Sequence, residues 1–140
     1  MKNRSLITPL IAASLLLSIA TVAFGEDSRE LLRDASSYVE KGDYKKALEY
    51  CNKSIDLDPS YSDAYFIRGA VHFAAGDYES SVKDFTAAIE LDPTDNNAYF
   101  RRGKGYLKLG NSDMALEDFE VSCGMGVKEA CDAYRDLLNR

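Results

Sequence analysis

From Ser28 onward, apolar side chains return at three- and four-residue intervals, with charged and amide residues between them. That spacing predicts helices with one buried face, not strands. The pattern is broken at Gly42, Gly76 and Gly110, which stand 34 residues apart and are followed by Asp43, Asp77 and Asn111. A glycine can end a helix in the left-handed conformation while Asp or Asn caps the next. Each break is therefore predicted to join two antiparallel helices. First helices are expected at 28–40, 62–75 and 96–109, and second helices at 44–57, 78–91 and 112–124. Asp58-Pro59 and Asp92-Pro93 close the first two units, because proline cannot continue a helix and biases the residue before it away from helical geometry. Units then fall at about 28–61, 62–95 and 96–126. Val127, Ala130, Cys131, Tyr134, Leu137 and Leu138 share one face of a seventh predicted helix, 127–139. Fold class is thus all-α.

The identities repeat as well as the pattern. Ala64-Tyr65-Phe66 returns as Ala98-Tyr99-Phe100, Arg68-Gly69 as Arg102-Gly103, and Phe85 as Phe119. A hairpin of this kind cannot bury its apolar faces alone, so neighbouring units must stack into a solenoid, and a terminal helix must cover the last one. Small residues twelve apart, Ala35 with Ala47, Gly69 with Ser81 and Gly103 with Ala115, predict close approach within each hairpin, small side chain facing small side chain.

These residues resemble the tetratricopeptide repeat family over roughly 28–126: the Gly-Asp-Tyr inner turn, the small-residue pairs, the Phe of the second helix and the closing Asp-Pro. The resemblance implies a three-hairpin α-solenoid whose first helices line a concave groove for a protein or peptide. It also implies ion pairs from Arg68 to Asp84 and from Arg102 to Asp118. The first unit departs from the pattern, with Asp34 and Tyr50 at the corresponding places. Read from helical spacing, the groove-facing candidates are Arg33, Phe66, Ile67, Phe73, Phe100, Arg101, Lys104 and Lys108. Leu32, Ser36, Val39, Glu40 and Ala70 share those faces. Relatives that clamp carboxylate-terminal chaperone tails carry a Lys, Asn and Arg set on successive first helices. Here Ile67 stands at the groove asparagine, and only Arg101 and Lys104 resemble the set, so that ligand class is not expected.

The first 25 residues change the picture of location. Lys2 and Arg4 precede an apolar stretch from Leu6 to Phe24, then Ala23 and Gly25, then acidic Glu26-Asp27, the layout of a secretory signal peptide. Export to the periplasm or outside the cell is expected, and an uncleaved membrane anchor is the alternative. Setting Lys2 and Arg4 aside leaves 15 basic against 23 acidic side chains, a net charge of about −8. Such acidity argues against nucleic acid, which needs basic surface to displace counterions. Against it, the basic groove residues suit an acidic partner.

Three cysteines remain. On one helix Cys123 and Cys131 would be about 12 Å apart, too far to bridge, but Gly124 and Gly126 interrupt that helix and let the seventh fold back. The spacing is similar to that of secreted cysteine-rich helical-repeat proteins, which implies a Cys123–Cys131 disulfide. Cys51 takes the place of Phe85 and Phe119 and is expected in the core. No cofactor, metal site or catalytic residue is expected: His72 replaces the tyrosines of the neighbouring units, and no nucleophile elbow or phosphate loop is present. The expected function is an exported, non-catalytic protein-interaction module. Alternatives are a self-associating scaffold subunit of an envelope complex and a small thiol enzyme using Cys51.

Overall fold

The computed structural model describes residues 27–139, so the expected signal segment lies outside the described residues. Seven helices follow in order: α1 Ser28–Glu40, α2 Tyr44–Leu57, α3 Ser62–Ala75, α4 Tyr78–Leu91, α5 Asn96–Lys108, α6 Ser112–Gly124 and α7 Lys128–Leu138. No strand occurs among the described residues. Each helix packs on the next in sequence, and α3 also touches α1 and α5 directly. First helices therefore lie side by side along one face of the stack.

Local chemistry explains the boundaries. Gly42, Gly76 and Gly110 have φ of 74°, 84° and 81°, a region that penalises any Cβ. Asp43 and Asp77 then accept from the backbone N–H of Lys46 and Ser80, both at 3.1 Å. Asn111 makes no such side-chain cap, contrary to the expectation for the third turn, and α6 starts there on backbone geometry alone. The unit-closing turns are held by Asp58, which accepts from Ser60 N at 3.0 Å and Ser60 Oγ at 2.7 Å. Asp92 does the same with Thr94, at 3.0 and 2.7 Å. These bonds hold both carboxyls below their ordinary value of 3.8, the hydroxyl contributing most.

Inside the second and third hairpins each glycine stands against a buried ring. A Cβ built on Gly69 would lie 3.2 Å from the ring of Phe85, and one on Gly103 only 2.7 Å from Phe119 Cε1. The glycines clear space for a buried phenyl ring on the second helix, and Ser81 and Ala115 are themselves fully buried. In the first hairpin both partners change together: Ala35 stands where the glycines do, and Cys51 replaces the ring in the same buried cluster. A methyl group plus a thiol substitutes for no side chain plus a phenyl.

Arg68 donates to Asp84 through Nε and Nη2 at 2.8 and 2.7 Å, and through Nη1 to Asn52 Oδ1 at 2.8 Å on the preceding hairpin. Arg102 repeats this with Asp118 at 2.9 and 2.7 Å and with Thr86 Oγ1 at 3.2 Å. Each arginine thus ties its own hairpin together and to the one before. The first hairpin, lacking the pair, stacks Tyr50 on Tyr38 with ring centroids 5.3 Å apart.

Cys123 and Cys131 sit at disulfide distance with Cα atoms 4.6 Å apart. Gly126, at φ 96°, makes the turn between them. Of the lid residues expected on one apolar face, Ala130 is buried, but Leu138 is 58% exposed; it is the last residue of α7, and no described helix follows to cover it.

Candidate functional site

The face formed by α1, α3 and α5 carries the residues that helical spacing assigned to a groove. Lys104 is the residue that joins them: its Nζ lies 5.5 Å from the centroid of Phe100 and 5.9 Å from that of Phe73 on α3. An ammonium over aromatic faces is held by the ring quadrupoles while its charge stays available to a ligand. Arg101 and Lys108 are exposed on the same face of α5, and neither makes a hydrogen bond or ion pair among the described residues.

The aromatics are not free rings. Phe66 packs edge-on against Phe85 at 5.5 Å and Phe100 tilts against Phe119 at 5.7 Å. Phe73 meets Tyr78 edge-on at 5.2 Å. Each is half-buried, so one side of the ring belongs to the hairpin core and the remainder floors the groove. This packing fixes the rings and lowers the entropy lost when something settles on them.

Ile67 lies on the α1 side of this face, in a hollow of about 300 Å³ between α1 and α3 that it shares with Ser36, Val39, Glu40, Ala70 and Val71. Arg33 is exposed on α1, at the same repeat position as Ile67 and Arg101. The eight candidates therefore divide: Phe73, Phe100 and Lys104 are brought together, Phe66 packs on Phe85, Ile67 lines the α1–α3 hollow, and Arg33, Arg101 and Lys108 stand at the surface. Leu32, which spacing placed on the groove side of α1, is 4% exposed and belongs to the core. Val71 was missed as part of the hollow, because it lies on the flank of α3 that turns inward between neighbouring units. Only the crossing of α1 over α3 could show that.

Two chemistry-bearing side chains lie apart from this face. Cys51 is fully buried, and burial pushes its thiol up to about 12, so the thiolate that nucleophilic work requires is absent near neutral pH. His72 places Nδ1 3.4 Å from Asp77 Oδ2 and Nε2 3.9 Å from Asp84 Oδ2, at the inner turn of the middle hairpin. Among the described residues, no group of three or more His, Cys, Asp or Glu side chains is arranged to hold a metal ion. No described helix is long and apolar enough to cross a membrane.

Stacked helical hairpins whose first helices share one face define a class of repeat solenoid, and comparison with known proteins is consistent with it. Residues 32–96 and 97–123 match the Tetratricopeptide repeat family, and the chain belongs to that family. Among solved structures, the first TPR domain of Spaghetti (RPAP3), bound to the HSP90 peptide SRMEEVD, superposes with a TM-score of 0.77 at 23% identity, covering 81% of this chain and 91% of that one. The second TPR domain of human RPAP3, in complex with the HSP70 peptide SGPTIEEVD, gives 0.72 at 26% identity over 77% and 92%. MamA gives 0.69 at 21% identity over 87% and 82%. A curated relative, an uncharacterized protein of Methanocaldococcus jannaschii, is 65% identical over 26 residues, which is 19% of this chain and 30% of that protein's length.

Proposed function

We propose that this chain is an exported protein-interaction module that binds an extended, acidic segment of a partner along its concave face. The observation that carries the reading is Lys104 held over Phe73 and Phe100, with Arg101 and Lys108 beside it and unpaired among the described residues. These cations stand out on a chain whose net charge, with Lys2 and Arg4 set aside, is about −8. Concentrated cationic side chains over a rigid apolar floor steer and seat carboxylates. The bound peptides of the two RPAP3 structures both end in Glu-Glu-Val-Asp, which supports an acidic, extended ligand class for this fold. The clamp residues themselves are only partly present, so the ligand proposed here is an acidic segment and not that particular tail.

Export is supported by the layout of residues 1–25 and by the Cys123–Cys131 pairing, since disulfides persist in oxidising compartments. Binding is tested by titrating an acidic peptide against the protein and against the K104E/K108E variant. Affinity is expected to fall at least about tenfold, and its salt dependence to flatten. Unchanged affinity would remove the concave face from the reading.

A further inference from the structure

Charge at two register positions of the concave face changes along the stack, whereas a third, Arg33, Ile67 and Arg101, carries a cation on both α1 and α5. Glu40, Ala74 and Lys108 occupy one register position on α1, α3 and α5. Ser36, Ala70 and Lys104 occupy another, one turn earlier. At these two positions the side chain thus changes from carboxylate or hydroxyl on α1, through methyl on α3, to ammonium on α5. Glu40 is exposed and lines the α1–α3 hollow, whose other walls are mainly Val39, Ile67, Ala70 and Val71. Neither Glu40 nor Lys108 makes a hydrogen bond or ion pair among the described residues, so both ends of the series are open to a ligand.

An apolar hollow with one carboxylate at its edge has a defined complement. A lysine or arginine lays its methylene stem on apolar surface and presents its charge at the end, whereas an acidic side chain in the same place would face Glu40 across a low-dielectric gap. We propose that the concave face selects a dipolar segment, with an acidic residue over α5 and a lysine or arginine in the α1–α3 hollow. The spacing follows from the stack. Two helix-to-helix steps of about 8–10 Å each separate α1 from α5, roughly 16–20 Å in all, which an extended chain at about 3.3 Å per residue covers in about five or six residues. This inference rests on the groove reading above and adds the second charge and its distance.

The test uses purified protein and three labelled peptides of equal length with the same apolar centre: one with two glutamates at one end and two lysines at the other, one acidic at both ends, and one basic at both. At low salt the dipolar peptide is expected to bind about threefold or more tighter than the doubly acidic one, the scale of a surface charge pair, and the doubly basic peptide weakest. E40K is expected to transfer the preference to the doubly acidic peptide. If E40K leaves the ranking unchanged while K104E/K108E still abolishes binding of the doubly acidic peptide, the dipolar inference is overturned and the groove reading stands. If K104E/K108E alters none of the three affinities, both fall.

Discussion

At Gly103 the missing side chain is itself structural. A methyl there would stand 2.7 Å from Phe119 Cε1 and 3.2 Å from Asp118 Cβ, with both partners nearly or fully buried. Two effects oppose each other in Gly103→Ala. Helix propensity favours alanine by about 1 kcal/mol, while overpacking a filled core costs about 1–3 kcal/mol. At 2.7 Å the clash wins, and G103A is expected to lower stability by about 1 kcal/mol in chemical denaturation. The first hairpin supplies the compensating partner, since Ala35 coexists with Cys51. G103A combined with Phe119→Leu should therefore cost less than the sum of the two single changes, as a double-mutant cycle would measure. The repeat showed which positions belong together; which atom fills the space beside each glycine depended on how the helices cross.

At the scale of elements, the hairpins are joined by charge as well as by packing. Arg102 holds Asp118 within α6 and reaches Thr86 on α4, and Asp118 is 4% exposed. Arg102→Ala leaves a nearly buried carboxylate without its cation, a loss of about 2–3 kcal/mol. Thermal or urea unfolding would detect it, and Asp118→Asn in the same chain should recover part of the loss by removing the stranded charge. The turns carry a pH dependence of definite sign. Asp58, Asp77 and Asp92 have folded-state values below 3.8, each chiefly through a hydroxyl donor. Their stabilisation is complete above pH 3.8 and is lost as pH falls through the lower folded values. A D58N/D77N/D92N variant is therefore expected to lose less stability than the parent between pH 5 and pH 2. Denaturant midpoints across that range would show this, and parallel slopes would count against it.

For the molecule as a whole, the lid decides how the stack ends. The link between Cys123 and Cys131 closes a loop with a sequence separation of 8, which the chain-entropy model values at about 2–3 kcal/mol. Reduction, or C123S/C131S, is expected to lower the unfolding midpoint and to release α7 first, with amide protection lost there before it is lost in α3 or α4. Uniform loss of protection would mean that α7 unfolds with the core. Free Cys51 should stay unmodified by alkylating reagents throughout, because its thiol is enclosed and its pKa raised to about 12. The C-terminal end thus relies on a covalent tie where the inner hairpins rely on Arg68 and Arg102.

Helix number and helix order were written in the chain's periodicity, because a helical period, a glycine break and an Asp-Pro stop are local properties that the chain states wherever they occur, whereas the two arginine–aspartate pairs were implied by the family resemblance. The concave face was legible as a set of positions: spacing alone placed Phe73, Phe100 and Lys104 on the faces of α3 and α5. What the tertiary structure decided was contact across units. It seated Lys104 over rings from two different helices, moved Leu32 into the core and Val71 into the hollow, and set Phe85 and Phe119 against glycines. These outcomes depend on how helices cross and how far apart they lie. Side-chain volumes summed over neighbouring hairpins determine both, and no single repeat contains that sum.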